Sequence, residues 1–239
     1  MKYLKILFIV VISMAFSACV NGQIRRTIRG NHNVVKQERT AGSFSGIRVS
    51  TGIDVFLKQG DKESISVEAD ENLQEYIKTE IKGDILNIYS DAYIRDAEKE
   101  NVYVTIRELK SLKTSSAGNI TGQTPFKVEE LELSASSAGD IKLEVRAKNI
   151  KADISSSGNI TIDGTADMLE ADLSSAGDLN AYELLVREAD VSVSSAGDAD
   201  INVSEKLTAR ASSAGDINYR GNPKYIDSHS SSAGGIHQQ

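Results

Sequence analysis

Small or apolar residues alternate with polar residues along positions 111–239, around a hexapeptide that occurs seven times. It reads SSAGDI at 136–141 and at 212–217, and the other copies differ by one or two letters. Two, four, six and eight positions before each glycine, and two positions after it, nearly every residue is small or apolar. The positions between are polar, and this period of two predicts strands with one face buried. The seven glycines are Gly118, Gly139, Gly158, Gly177, Gly197, Gly215 and Gly234.

The spacing of these glycines is nearly constant, at 21, 19, 19, 20, 18 and 19 residues. A fixed period near 20 is typical of a solenoid, and it is too short for a coil built from two helices. Alternation within such a period predicts a parallel β-solenoid, in which each strand pairs with the equivalent strand of the next coil. The hexapeptide is then a corner of each coil. We expect its glycine to take the positive φ, the serine two places before it to face inward, and the following Asn or Asp to bond the turn.

Residues 40–110 alternate in the same way but without the regular period. The segment VSTGIDVFL at 49–57 is similar to the corner and predicts a distant first copy of it. Asp70 is predicted to cap a short helical turn over 72–76. We expect one continuous body with irregular β coils over 40–110 and regular coils over 111–239. A separate β-sandwich over 40–110 is the alternative.

The N-terminus has the order of a secretory signal over residues 1–18. Lys2 and Lys5 precede an apolar run over 6–16, which is too short to span a bilayer permanently. The sequence FSAC at 16–19 is similar to a bacterial lipobox, which predicts that Cys19 becomes the acylated N-terminus. Cys19 is the only cysteine, so it has no disulfide partner in the chain. Residues 19–39 are then a lipid-anchored tether, and the lipid supplies the hold on the membrane.

The charge of the chain is acidic and uneven. The formal net charge is −7, and it becomes about −9 without the two lysines of residues 1–18. Residues 19–39 are basic, and anionic headgroups would attract them if the lipid holds them at a membrane, although a merely solvated tether fits equally well. The acidic remainder argues against nucleic acid as a partner.

Three stretches carry a resemblance to a known family. These are residues 30–61, the run of Ser-Ser-Ala-Gly-Asp/Asn corners, and INYRGNPKYIDSHSSSAGGI at 217–236. In this order they resemble the putative auto-transporter adhesin, head GIN domain family, over about residues 30–239. The resemblance implies an exported, often lipid-anchored protein, a right-handed parallel β-helix and a role in adhesion. It implies no ligand and no catalytic residue, and a fold alone does not supply them.

The candidate chemistry of the chain is sparse. Asp178, Asp198 and Asp216 follow successive glycines, and three stacked carboxylates need backbone donors or a cation. Corner capping is the simpler interpretation, and weak calcium binding is the alternative. The three histidines lie near the ends of the chain, and there is no Trp to wall a sugar cleft. We therefore expect no catalytic residue and no cofactor, and a carbohydrate-active β-helix enzyme remains the least favoured class.

Binding through a face of the solenoid is the favoured function. The serines three places before the glycines, including Ser136, Ser174, Ser194 and Ser212, are expected to form an exposed ladder. Its ligand would be a glycan, another protein or a second copy of the chain. The expected location is the outer membrane, and residues 20–23 lack the acidic residues that signal surface export in relatives. A periplasmic structural or assembly protein without an external ligand is therefore the competing hypothesis.

Overall fold

The computed structural model describes residues 26–239, and the predicted signal segment and Cys19 lie outside this part. Twenty strands, β1 to β20, account for nearly all of its regular structure. The N-terminal strands are Thr27–Arg29, Val34–Arg39, Gly46–Val49, Asp54–Gln59, Ser64–Asp70, Ile77–Lys82, Ile85–Ser90, Tyr93–Arg95 and Glu100–Ile106, for β1 to β9. The remaining strands are Ser111–Thr114, Asn119–Gly122, Phe126–Lys127, Glu130–Ala135, Asp140–Ile154, Asn159–Leu173, Asp178–Val193, Asp198–Ala211, Asp216–Arg220, Tyr225–Ser230 and Gly235–Gln238, for β10 to β20.

The strands of residues 111–239 pair in parallel, each with its equivalent one coil on. Asp140–Ile154 pairs with Asn159–Leu173 over fourteen residue pairs, from Asp140 opposite Asn159 to Ile154 opposite Leu173. The same offset of one coil relates every later pair of coils. The predicted parallel β-solenoid with coils of about 20 residues is therefore confirmed.

The core consists of files of like side chains along the axis of the solenoid. Leu133, Leu173 and Val193, which the alternation predicts to face inward, are 1 %, 3 % and 2 % exposed. In β14 the alternation is interrupted at 147–149, where the buried positions change from odd to even numbers. This second bend separates two straight legs of the coil, and the hexapeptide corner joins one coil to the next.

The N-terminal part continues the same sheet and then covers its end. β3 and β4 pair in parallel with β10 and β11, so residues 46–59 form the first coil. This confirms the segment 49–57 as a distant copy of the corner, and it leaves no separate β-sandwich. Beyond that coil, β7 and β9 pair in parallel with β3 and β4 and form a further layer. β5 then pairs antiparallel with β9 and β2, and β6 pairs antiparallel with β7.

The folded body begins earlier than the predicted boundary at residue 40. Residues 27–29 pair with β8 and residues 34–39 pair with β5, so this stretch belongs to the folded N-terminal part and not to the tether. The turn after Asp70 is a 3-10 turn at Glu71–Leu73, and the Asp70 side chain does not cap it. Among residues 26–239, no helix is long and apolar enough to cross a membrane.

Candidate functional site

The repeated corner is a two-residue turn whose central residues are the second serine and the residue after it. In the fourth copy, Ser175 and Ala176 have φ of 53° and 57°. The N–H of Gly177 donates to the carbonyl of Ser174 at 3.1 Å, which closes the turn. Two successive positive φ angles define a type I′ turn. All seven corners share this conformation, so the prediction that glycine takes the positive φ is wrong.

The corner glycine is required for space instead. Six of the seven corner glycines are buried, and each lies against the backbone of the preceding coil. A Cβ on Gly158 would lie 2.4 Å from the carbonyl oxygen of Ala135, which is closer than real Cβ contacts allow. In the first coil Ile53 occupies the equivalent position and is fully buried. The glycines therefore let the regular coils stack closely.

The exposed part of the corner is the second serine with the residue after it. Both are exposed in every copy, so the prediction that this serine faces inward is wrong. The ladder predicted at Ser136, Ser174, Ser194 and Ser212 is half-buried instead of exposed. We call the exposed pairs the corner ridge, which comprises residues 116–117, 137–138, 156–157, 175–176, 195–196, 213–214 and 232–233.

Hydrogen bonds between coils make the corner ridge continuous. The N–H of Ala176 donates to the carbonyl of Ser195 at 3.0 Å, and the N–H of Ala196 donates to the carbonyl of Ser213 at 3.1 Å. Equivalent bonds join the other successive corners, and Gly52 joins the first coil to Ser116 in the same way. The ridge is therefore a rigid row of small groups that repeats at the spacing of paired strands, about 4.8 Å.

A shallow groove of about 500 Å³ runs beside the C-terminal part of the ridge. Its floor includes the half-buried serines Ser174, Ser194 and Ser212. Its outer side is formed by a neighbouring file in which Asp172, Ser192, Arg210 and His229 follow one another on successive coils. The groove thus combines hydroxyl groups with side chains of both charges. Such a lining suits a polar ligand that is uncharged or zwitterionic.

The Asn and Asp residues that follow the corners form a single file on the other side of the ridge. From the N-terminal end the file alternates amide and carboxylate, and Asn119 donates to Asp54 at 2.7 Å. The alternation ends with Asp178, Asp198 and Asp216, which are direct neighbours. Burial first, and then the charges of Asp178, Asp216 and Asp200, raise the pKa of Asp198 above its ordinary value. The order of the file is Asn101, Asp54, Asn119, Asp140, Asn159, Asp178, Asp198, Asp216.

Within residues 26–239, no group of three or more His, Cys, Asp or Glu side chains is arranged to hold a metal ion. The Asn/Asp file consists of corner residues that share a sheet face, and it ends in a run of three like charges. The calcium hypothesis stays a prediction.

A family model described as "Putative auto-transporter adhesin, head GIN domain" matches residues 43–223, which is most of the chain. The chain belongs to this family. The match spans the first coil, the irregular coils and all but the last regular corner. The resemblance seen in the sequence is therefore confirmed.

Solved structures share the fold of this GIN-domain protein. A putative adhesin from Bacteroides fragilis is 17 % identical, with a TM-score of 0.83 over 89 % of this chain and 100 % of that one. A putative lipid binding protein from Parabacteroides distasonis is 25 % identical, with a TM-score of 0.73 over 90 % and 100 % of the two chains. A putative adhesin from Parabacteroides merdae is 21 % identical, with a TM-score of 0.72 over 90 % and 99 %. No curated protein matches the sequence.

Two acidic residues outside the repeats, Asp70 and Glu100, have buried surroundings that the sequence pattern does not predict. The carboxylate of the fully buried Asp70 accepts the N–H groups of His32, Glu98 and Lys99 at 2.9, 3.1 and 3.4 Å. It thereby ties the N-terminal segment to the loop before β9. Burial, and then the charges of Asp54 and Asp70, raise the pKa of the nearby Glu100 to about 7. Neither residue lies in a repeat, so no periodic pattern could identify them.

A second groove of about 670 Å³ lies where the irregular coils meet the regular ones. Gln59 crosses its edge: its side-chain amide donates to the carbonyls of Arg107 and Lys127 at 3.2 and 3.3 Å, and its carbonyl accepts the N–H of Lys127 at 2.9 Å. Its walls carry both basic and acidic side chains, among them Lys110 and Glu108, which pair at 3.0 Å. Five basic and five acidic residues line the groove, so their charges balance.

The histidines lie at the two ends of the domain. His32 lies 3.6 Å from Glu98 at the N-terminal end, whereas His229 and His237 lie in the last coil. His229 lines the groove of about 500 Å³ together with Ser174, Ser194 and Ser212.

Proposed function

We propose that the protein is a non-catalytic, adhesin-like binding module of the cell envelope that uses the corner ridge as its ligand surface. The observation that carries this proposal is the exposure of the same two small residues in all seven corners. A rigid row of exposed serine residues at about 4.8 Å intervals matches a ligand that is itself periodic. We therefore favour a polymeric glycan as the ligand. The family description as a putative adhesin agrees with this proposal.

Substitutions within the ridge test the binding surface. Asn tolerates positive φ better than other residues with a side chain, so it adds bulk there without breaking the turn. The triple variant Ala176→Asn, Ala196→Asn and Ala214→Asn should weaken binding to a panel of immobilised polysaccharides by about tenfold or more. The matched control is Met168→Asn, Glu188→Asn and Lys206→Asn, three exposed residues away from the ridge. Equal binding by both triple variants, or no binding by the unsubstituted chain, would overturn the proposal.

The proposed location is the outer membrane, through lipid on Cys19. Replacement of Cys19 by Ser should release the protein from the membrane fraction, and metabolic labelling with a fatty acid should be lost with it. Protease treatment of intact cells then distinguishes the two orientations. Removal of the domain supports adhesion at the surface, whereas full protection supports the periplasmic structural role and contradicts the adhesin.

A further inference from the structure

The strand pairing differs between the two ends of the solenoid. At the N-terminal end, β7 and β9 pair in parallel with the first coil, and antiparallel strands β2, β5 and β6 extend the sheet beyond them. At the other end, β19 pairs only with β17 among the residues that the structure describes, and β20 pairs only with β18. Tyr225 and Ile226 in β19 are 73 % and 49 % exposed. The last described coil therefore presents an unpaired strand edge with apolar side chains beside it.

The backbone groups that face this edge can be identified from one hydrogen bond. The N–H of Ser231 donates to the carbonyl of Ala211 in the preceding coil at 3.0 Å. Backbone direction alternates along a strand, so Asp227 and His229 also direct their N–H and C=O groups toward β17. Ile226, Ser228 and Ser230 then direct theirs toward the open edge. Their side chains are the ones that lie over the core files, opposite Leu207, Ala209 and Ala211.

The open edge has neither Lys nor Pro, the two residue types that most often prevent pairing, although it carries the carboxylate of Asp227. Native sheets protect exposed edges with Lys, Pro or other charged residues. β2 carries Lys36, Glu38 and Arg39, whereas β19 reads YIDSHS, with neither Lys nor Pro. An unpaired edge of this kind is a template for another strand.

We propose that the edge of β19 binds the same edge of a second copy of this chain, in an antiparallel pairing centred on Ser228. Only registers that keep inward side chains opposite inward ones retain the core, because a slip of one residue exchanges the faces. A register centred on Asp227 would place the two Asp227 side chains opposite each other. A register centred on His229 would likewise place the two His229 side chains opposite each other. With Ser228 opposite Ser228, Asp227 lies opposite His229 of the second copy on both sides of the two-fold axis.

This register also satisfies the free backbone groups. Residues 226, 228 and 230 form the hydrogen-bonded pairs, roughly six bonds in all, and Asp227 and His229 form the non-hydrogen-bonded pairs, where side chains are closest. Ile226 loses its exposure to solvent as the second copy covers it. The pairing is isologous, so it closes at two copies. A contact of this size is at the small end of specific interfaces, and the dimer should therefore be weak.

The full chain with Cys19→Ser, exported and purified without lipid, tests the proposal by sedimentation velocity over a concentration series. We expect a reversible dimer that is populated by about 100 µM. Asp227→Lys should weaken the association by about tenfold, because an ammonium group then replaces the carboxylate that faces the His229 imidazole of the second copy. The double variant Asp227→Lys and His229→Asp should restore it. Ser228→Pro should abolish it, because it removes an edge N–H that makes no bond within the coil.

The outcomes are separable from those of the ridge experiment, because the ridge variants leave β19 unchanged. A monomer at every concentration would overturn the proposal, as would a mass above two copies, since this edge closes at two. Failure of the double variant to recover the loss caused by Asp227→Lys would overturn the register. If Ser228→Pro misfolds by circular dichroism, the two charge variants still decide the question.

Discussion

The irregular coils of residues 26–110 and the regular coils of residues 111–239 are stabilised in different ways. The irregular part depends on single buried polar groups, among them Asp70 and Gln74, which bond distant segments. The regular part repeats one corner and a few files of apolar side chains, each supporting the next. The comparison teaches that damage should stay local in the irregular part but spread along the axis in the regular part, as expected for nearest-neighbour coupling in solenoids.

The largest expected effect is that of Leu173→Asp in the regular part. Leu173 is 3 % exposed and lies between Ile154 and Val193 of the adjacent coils. A buried, unpaired carboxylate there should lower the free energy of unfolding by about 4 kcal/mol or more. Hydrogen exchange should show lost protection in the coils on both sides. Met168→Asp is the control in the same strand, since Met168 is 41 % exposed and its replacement should change stability little.

The next prediction compares two adjacent residues of one corner, Ser157 and Gly158, whose substitutions should change the stability in opposite directions. Gly158→Ala places a Cβ against the backbone of Ala135 and should cost about 3 kcal/mol. Ser157→Gly should instead stabilise the fold by about 0.5 kcal/mol, because Ser157 has a φ of 58° and glycine relieves most of that strain. Chemical denaturation of both variants measures the two signs. Destabilisation by both would contradict the division of roles within the corner.

The irregular part should respond locally to Asp70→Ala. This change leaves the N–H groups of His32, Glu98 and Lys99 without their acceptor and should cost about 2 kcal/mol. Trypsin should cut faster at Arg29 and Lys99, while hydrogen exchange in 140–211 stays as before. Asp61→Ala at an exposed position is the matched control. Loss of protection throughout the regular coils would remove the contrast between the two parts.

The regular part was predictable from sequence because its information is repeated seven times. Period and alternation together specify strand pairing, the buried files and the position of each corner. The roles inside the corner were not predictable, because Ser-Ser-Ala-Gly allows the positive φ at glycine or before it, and glycine is the usual choice. In the irregular part, Asp70 and Glu100 depend on contacts between distant segments, and no local pattern encodes those. The edge of β19 became visible only with the pairing of the last coil.

Glu100 should make the irregular part sensitive to pH in a range where the regular part is less so. Its pKa is raised to about 7, so the folded state holds a proton that the unfolded state releases near pH 4.5. Its contribution is therefore fully present below pH 4.5 and is lost as the pH rises through about 7. Glu100→Gln removes this ionisation, and after allowance for solvent screening it should stabilise the protein by about 1 kcal/mol at pH 8. At pH 4 the two proteins should melt alike, and a gain at pH 4 equal to that at pH 8 would contradict this cause.

The smallest expected effect concerns the end of the Asn/Asp file. Asp198→Asn restores in the regular coils the alternation that Asp54, Asn119 and Asp140 show nearer the N-terminal end. The raised pKa of Asp198 means that its charge is unfavourable in the folded state, so stability falls as the pH rises past the ordinary value of about 3.8. The variant should therefore gain about 0.5 kcal/mol at pH 7 and nothing at pH 3. Thermal melting at the two pH values measures this difference.

The same variant decides the calcium hypothesis. If the three aspartates share a calcium ion, millimolar calcium should raise the melting temperature of the unsubstituted protein and not that of Asp198→Asn, because the amide is the weaker ligand. If they only repel one another, calcium leaves both melting temperatures unchanged and Asp198→Asn remains the more stable protein at pH 7. Asp140→Asn is the matched control. Asp140 already lies between Asn119 and Asn159, so this substitution removes no repulsion between carboxylates of the file. An equal gain from both substitutions would show that the run of like charge is not the cause.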